Sequence, residues 1–91
     1  MITPQKLRNL RNHIQIDRVL VAVGLPVKHR EGYLRFLCPI CGEFNTATNP
    51  RTNLARCFRC EKNFNPIDLV MIVDRCSFLE AVDLLEALLE D

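Results

Sequence analysis

Cys38-Pro39-Ile40-Cys41 and Cys57-Phe58-Arg59-Cys60 are two Cys-x2-Cys pairs separated by the 15 residues 42–56. This spacing is the signature of a zinc site. Each short turn brings two thiolates within reach of one ion, while its own backbone N–H groups point at the sulfurs. Two such turns on facing hairpins complete a tetrahedron with Zn–S distances of ~2.3 Å. Gly42, directly after Cys41, is the residue type that lets such a knuckle turn take positive φ. Four protein ligands leave no open coordination position, so the expected ion is one structural, tetrahedral Zn2+ rather than a Lewis acid. A disulfide scaffold would want an even cysteine count and an oxidising compartment, and this chain has five cysteines. A redox Cys-x-x-Cys explains one pair and not two. Four thiolates on Zn2+ sum to −2, a charge that the flanking Arg56, Arg59 and Lys62 can offset. Cys76, the odd cysteine, sits in an apolar context between two helix signals and is expected to be a small buried hydrophobe.

Size explains why a staple is needed. A chain of 91 residues makes about one domain. It buries only roughly 60–65 % of the surface its unfolded form exposes. Metal binding worth an apparent ~10–16 kcal/mol is enough to hold such a domain. With 48 % apolar and 25 % charged residues, the composition is that of a globular protein and not of a disordered one. The longest apolar run, residues 69–73, is far short of the ~18 a membrane span needs. The start, Met-Ile-Thr-Pro-Gln-Lys, has no apolar h-region. The expectation is therefore no signal peptide, no membrane partner and a cytoplasmic, reducing location.

Working outward from the cysteines, the chain reads as helices, a small antiparallel sheet, then helices. Thr3-Pro4 is a helix start, with Thr as N-cap and Pro at the first helical position. Leu7, Leu10 and Ile14 recur at helical spacing. Ile16, Val19, Leu20 and Val23 form a second stripe out of phase with the first, so a break is expected over 13–15. Gly24 and Pro26 end that helix. Residues 27–37, with Glu31-Gly32 in the middle, read as a hairpin, and 54–58 as a short strand. Asn65-Pro66 opens a helix over about 67–75 whose apolar residues cover nearly every side, which predicts burial. Ser77-Phe78-Leu79-Glu80 is a capping box for a last helix to about residue 89. There Glu80, Asp83, Glu86 and Glu90 share one face, and Phe78, Val82, Leu85 and Leu89 another. The expected class is α+β in one domain over 1–91. N-terminal helices occupy 4–24, a zinc ribbon 27–64 and C-terminal helices 66–90.

Charge is uneven. Residues 1–62 carry 11 basic and 4 acidic side chains, whereas residues 63–91 carry 1 basic and 7 acidic. Such asymmetry points to an anionic partner for the basic part, or else to an acidic helix face beside an ordinary basic remainder.

The two cysteine pairs resemble the zinc-binding domain of bacterial and phage DNA primases, the CHC2-type zinc finger, in its all-cysteine variant. Ile16-Asp17-Arg18-Val19-Leu20 is similar to the family's first helix. Glu31-Gly32-Tyr33-Leu34-Arg35-Phe36-Leu37-Cys38-Pro39 is similar to its strand leading into Cys-Pro. Asn65-Pro66-Ile67-Asp68-Leu69-Val70-Met71 and Ser77-Phe78-Leu79-Glu80-Ala81-Val82 resemble its last two helix starts. The chain departs from the family at Cys41, where His is usual, and at Glu61, where the second knuckle usually has Gly. Thr46-Ala47-Thr48-Asn49 replaces a Thr-Pro-Ser-Phe segment.

The resemblance implies binding of a single-stranded DNA template in support of primer synthesis. The catalytic (TOPRIM-type) domain expected to carry out that synthesis has no counterpart in these residues, so no catalytic residue, no small-molecule substrate and no enzymatic activity are expected of them alone. A primase catalytic domain or a helicase is the implied protein partner. Arg35, Arg51, Arg56, Arg59 and Lys62, clustered on and around the knuckles, are the candidate nucleic-acid contacts. On a strand, Arg56 and Phe58 share the face opposite Cys57, and Tyr33 and Phe36 point opposite ways. Phe58 and Phe64 are expected in the core. Asn49 and Asn53 could reach base edges, although turn chemistry is the commoner use of a loop Asn. His13 and His29 are expected at the surface and not as ligands. The alternative is a zinc-stabilised protein-interaction module that docks through exposed apolar helix edges and does not bind DNA.

Overall fold

The computed structural model describes residues 2–90, Glu90 by its backbone alone, so the ends of the domain expected over 1–91 lie outside the described residues. In chain order the elements are α1 (Pro4–Asn12), α2 (Ile16–Ala22), β1 (Val27–Arg30), β2 (Tyr33–Phe36), β3 (Thr46–Asn49), β4 (Leu54–Cys57), β5 (Lys62–Phe64), α3 (Pro66–Asp74) and α4 (Phe78–Glu90). This is the α+β order the sequence predicts. The radius of gyration, 12.6 Å, fits the ~12 Å of one compact body of this length.

Local chemistry sets the helix ends. The Thr3 hydroxyl accepts from the Lys6 N–H at 3.1 Å, with Pro4 following as the first helical residue. The expected break falls at 13–15. Helix α2 stops in a Schellman turn. Gly24, at φ 79°, donates its N–H to the Val21 carbonyl, and the Leu25 N–H reaches back to Leu20. Helix α3 opens with a reciprocal box in which Asn65 Oδ1 accepts from the Asp68 N–H and Asp68 Oδ2 accepts from the Asn65 N–H. Ser77 and Glu80 make the same exchange at the start of α4. Those bonds from Ser77, backbone first, hold the Glu80 carboxyl below the usual carboxylate range.

The core lies between the helices and one face of the strands. It takes Leu10 and Ile14 from the first stripe and Ile16, Val19 and Leu20 from the second, with Leu34, Phe36 and Phe64 from the strands. Two helix expectations need correction. Helix α3 packs on α1, α2, α4 and β5 and buries Ile67, Leu69 and Val70, with Met71 and Val73 half-buried, but it is not covered all round, for Ile72 is exposed. Helix α4 packs chiefly on α1 and α3, so Ala81, Val82 and Leu85 are buried while Phe78 and Leu89 of the predicted stripe are exposed. On its acidic face Glu80 and Asp83 are exposed, Glu86 pairs with Lys6 at 2.6 Å, and the Glu90 side chain lies outside the described residues.

The ribbon consists of two sheets, where the sequence suggested one. Strands β1 and β2 form a hairpin across the Glu31-Gly32 turn, and β3, β4 and β5 form an antiparallel meander. Between β2 and β3 no main-chain ladder forms. Threonine hydroxyls bridge them instead. Thr46 Oγ1 donates to the Phe36 carbonyl at 2.5 Å and accepts from the Phe36 N–H at 2.9 Å. Thr48 Oγ1 donates to the Leu34 carbonyl at 3.3 Å.

One buried amide ties this ribbon to the N-terminal helices. Asn53, only 7 % exposed and in the left-handed region at φ 56°, accepts through Oδ1 from the Ile16 N–H at 2.7 Å. Its Nδ2 donates to the carbonyls of Arg11 and Ile14, both at 2.6 Å. It therefore caps the end of α1 and the start of α2 together, which is why Gln15 needs no capping side chain. The base-edge reading of Asn53 is thereby ruled out, since its polar atoms are spent internally. Replacing Asn53 by Ala strands these groups and should lower the unfolding free energy by about 3 kcal/mol in urea titration. A loss below ~1 kcal/mol, the level expected for the exposed Asn49→Ala, would contradict this role.

Candidate metal centre

Each cysteine pair sits on a tight turn whose geometry follows from its sequence. In the first, the Gly42 N–H donates to the Cys38 carbonyl and the Cys38 N–H to the Glu43 carbonyl, both at 2.9 Å. The Ile40 N–H points at Cys38 Sγ from 3.4 Å. In the second, the Cys60 N–H approaches Cys57 Sγ at the same distance. The Phe58 N–H donates to the Asn45 carbonyl at 2.9 Å, seating this turn on the start of β3. The residue after the second cysteine has positive φ in both turns, 73° at Gly42 and 54° at Glu61. The same left-handed step is thus made once by glycine and once, at a steric cost, by glutamate.

Thr46 brings the two turns together. It is fully buried, stands opposite Cys57 in the β3–β4 register, and bonds both backbone groups of Phe36, two residues before Cys38. Sequence reasoning missed it. The alternation of Thr46 and Thr48 with Ala47 and Asn49 was the available signal, since a β-branched residue on every second position marks the inward face of a strand.

The sulfurs of Cys38, Cys41, Cys57 and Cys60 all lie within 4.8 Å of one another and could hold a metal ion. Cys38 and Cys60 sulfurs are 3.9 Å apart, and those of Cys41 and Cys57 3.6 Å. Cys38 and Cys57 are buried, Cys41 and Cys60 half-buried. Proximity makes the thiols unequal. Burial pushes Cys38 up against the pull of two backbone N–H groups. At Cys57 burial acts the same way, but the Cys60 N–H and the three neighbouring thiols outweigh it and bring the group to about 7. Cys60 is pushed up to about 12 by burial and by the other sulfurs. Four thiolates so close together are unfavourable without a cation among them, and an arriving ion must displace protons. Cys76 lies apart from the cluster. It is half-buried against the core and points its thiol at the Val70 carbonyl, so the expectation of full burial is corrected.

The candidate nucleic-acid residues divide. Arg35 and Arg56 line a groove of about 570 Å³ across the outer face of both sheets, beside Tyr33, Phe58 and Asn63. Arg59 instead pairs with Glu43 at 3.0 Å on the surface. Arg51 and Lys62 are exposed but do not line the groove. Phe58 is not in the core as expected. It is 48 % exposed, with the Arg56 guanidinium 5.7 Å from its ring centre. The strand rule explains this, because Phe58 follows Arg56 on the face away from buried Cys57. Phe64 is in the core and Tyr33 is 58 % exposed. Asn49 accepts from the Arg51 N–H at 3.0 Å, which is turn chemistry. His13 and His29 are exposed and outside the cysteine cluster.

The chain matches no model of a known protein family and no curated protein. No helix among the described residues is long and apolar enough to cross a membrane. Because the second turn carries glutamate at a left-handed position, Glu61→Gly should raise the unfolding free energy by about 1 kcal/mol, and Gly42→Ala should lower it by a similar amount. Equal stability of Glu61→Gly and the parent in thermal and urea unfolding would contradict the matched-turn description.

Proposed function

We propose that the chain is a zinc-ribbon module of the DNA primase type that binds single-stranded DNA template. In this reading Cys38, Cys41, Cys57 and Cys60 hold one structural Zn2+. A tetrahedron with Zn–S of ~2.3 Å has edges of ~3.8 Å, and the Cys38–Cys60 and Cys41–Cys57 sulfur separations of 3.9 and 3.6 Å match two of those edges. The zinc supplies a staple worth an apparent ~10–16 kcal/mol and no reactive position. A reducing compartment, the cytoplasm, suits four thiols kept for a metal.

The observation that carries the DNA reading is the composition of the groove. Arginine side chains attract a phosphate backbone, and exposed rings or guanidinium planes take unpaired bases by stacking. Arg35, Arg56, Tyr33 and Phe58 put both kinds of group along one groove across the two sheets. Sheet platforms of this sort suit single strands, whose bases are free to splay onto aromatic rings. The acidic face of α4 repels nucleic acid and lies on another element. Binding and positioning of template are the work assigned to these residues, and primer synthesis belongs to a catalytic domain working with them.

The exposed apolar residues Ile72, Phe78, Leu79, Leu84 and Leu89 on the last two helices favour a second reading, a protein-interaction module. Its partner would be a primase catalytic domain or a helicase, and the isolated chain would not bind DNA.

A titration of zinc-loaded protein with a mixed-sequence 12-mer strand separates the two. Affinity should fall steeply between 50 and 200 mM salt, and Arg56→Gln should reduce the log–log salt slope by roughly 0.7, the share of one phosphate contact on a single strand. An affinity independent of salt, or no binding, would contradict the DNA reading.

A further inference from the structure

Resting on the single-strand reading above, we propose that the sheet groove reads an unpaired guanine nucleotide and that Glu31 selects the base. The groove's volume of about 570 Å³ falls within the ~300–1,000 Å³ of small-ligand clefts. Among the described residues that line it, Glu31 is the one acid. It stands in the two-residue turn between β1 and β2 at φ 54°, followed by Gly32 at φ 80°. Turns of this type favour Asn, Asp or Gly at that position, so a glutamate here runs against backbone preference. Nor is it present to neutralise an arginine, for it makes no ion pair among the described residues although Arg35 and Arg56 line the same groove.

The chemistry of the four bases narrows the ligand. An ionised carboxylate only accepts hydrogen bonds, and it does so through two oxygens. Guanine alone offers two adjacent donors on its Watson–Crick edge, N1–H and the N2 amino group. Adenine and cytosine offer one amino group beside an acceptor nitrogen. Thymine offers one N3–H between two carbonyl oxygens, which a carboxylate repels. A groove lined by exposed Tyr33 and Phe58 rings for stacking and by one carboxylate therefore favours guanine. Arg56 supplies donors for the phosphate or the guanine O6, beside Arg35, whose guanidinium also donates to the Thr46 carbonyl at 3.4 Å.

A guanine nucleotide can come from a strand or from solution, and the test has an arm for each. Labelled dT11 strands with a single central dG, dA, dC or dT are titrated into zinc-loaded protein, and dGMP alone serves as competitor. The dG strand should bind roughly ten-fold tighter than the others. In Glu31→Gln that preference should disappear while binding of the all-dT strand stays within two-fold, and Tyr33→Ser should weaken all four strands alike. Competition by dGMP at the strand's own concentration, lost in Glu31→Gln, would support the guanine site and assign the free nucleotide as its ligand. Failure of dGMP to compete would assign the strand. Equal binding of the four strands, or a guanine preference unchanged in Glu31→Gln, would overturn the base assignment and leave the single-strand reading standing. No binding of any strand or of dGMP would overturn both.

Discussion

The convergence of four sulfurs from two separate turns is the constraint on which the rest of this fold depends. Residues 38–41 and 57–60 are far apart in sequence, and their sulfurs lie within 4.8 Å of one another. The loop between them is mostly short-stranded and polar, with little apolar surface to drive its own collapse. Its order comes from hydroxyl bridges at Thr46 and Thr48, a ladder three strands wide and the sulfur cluster itself. The hydroxyls and the cluster act on the same point. Thr46 fixes the strand entering the first turn to the strand entering the second, so the thiols approach in one geometry.

Around this centre the chain separates two kinds of surface. The strands present arginines and exposed rings on their outer face, while the last helix presents carboxylates and several exposed leucines. The inner face of the strands and the inner stripes of the helices close the core between them. A single buried amide at Asn53 fastens the strand side to the break between α1 and α2, where regular helical bonding stops and carbonyls would otherwise lack partners. Polar atoms in the core are few, and those of Asn53, Thr46 and Thr48 are each used in such a join. This division puts the arginine-lined groove, where DNA contact is proposed, on different elements from the carboxylates of the last helix.

Much of this was legible in the chain because it depends on local chemistry. The caps at Thr3, Asn65 and Ser77, the Gly24 stop, the 13–15 break and the Glu31-Gly32 turn are each fixed by a few neighbouring residues, and each stands where the pattern put it. The four-cysteine cluster was legible because each Cys-x2-Cys pair is a local motif and two pairs at this spacing point to one shared site. What escaped depends on partners distant in sequence. Nothing beside Asn53 announces that its amide serves residues some forty positions earlier. The replacement of a β2–β3 ladder by threonine hydroxyls left only a faint alternation in 46–49. Phe58 was misplaced because an aromatic beside cysteines resembles core, although the period-two rule applied to Arg56 already put it outside. The exposure of Ile72, Phe78 and Leu89 depends on which sides of the last two helices their partners occupy, which no single helix pattern contains.

The central claim is that a metal ion held by Cys38, Cys41, Cys57 and Cys60 organises the ribbon. Elemental analysis of freshly purified protein, combined with circular dichroism before and after removal of metal by a strong chelator, tests it most directly. The account predicts one zinc per chain, and loss of the cooperative thermal transition when that zinc is withdrawn under reducing conditions. A chain free of transition metal that still melts cooperatively at an unchanged temperature would contradict it.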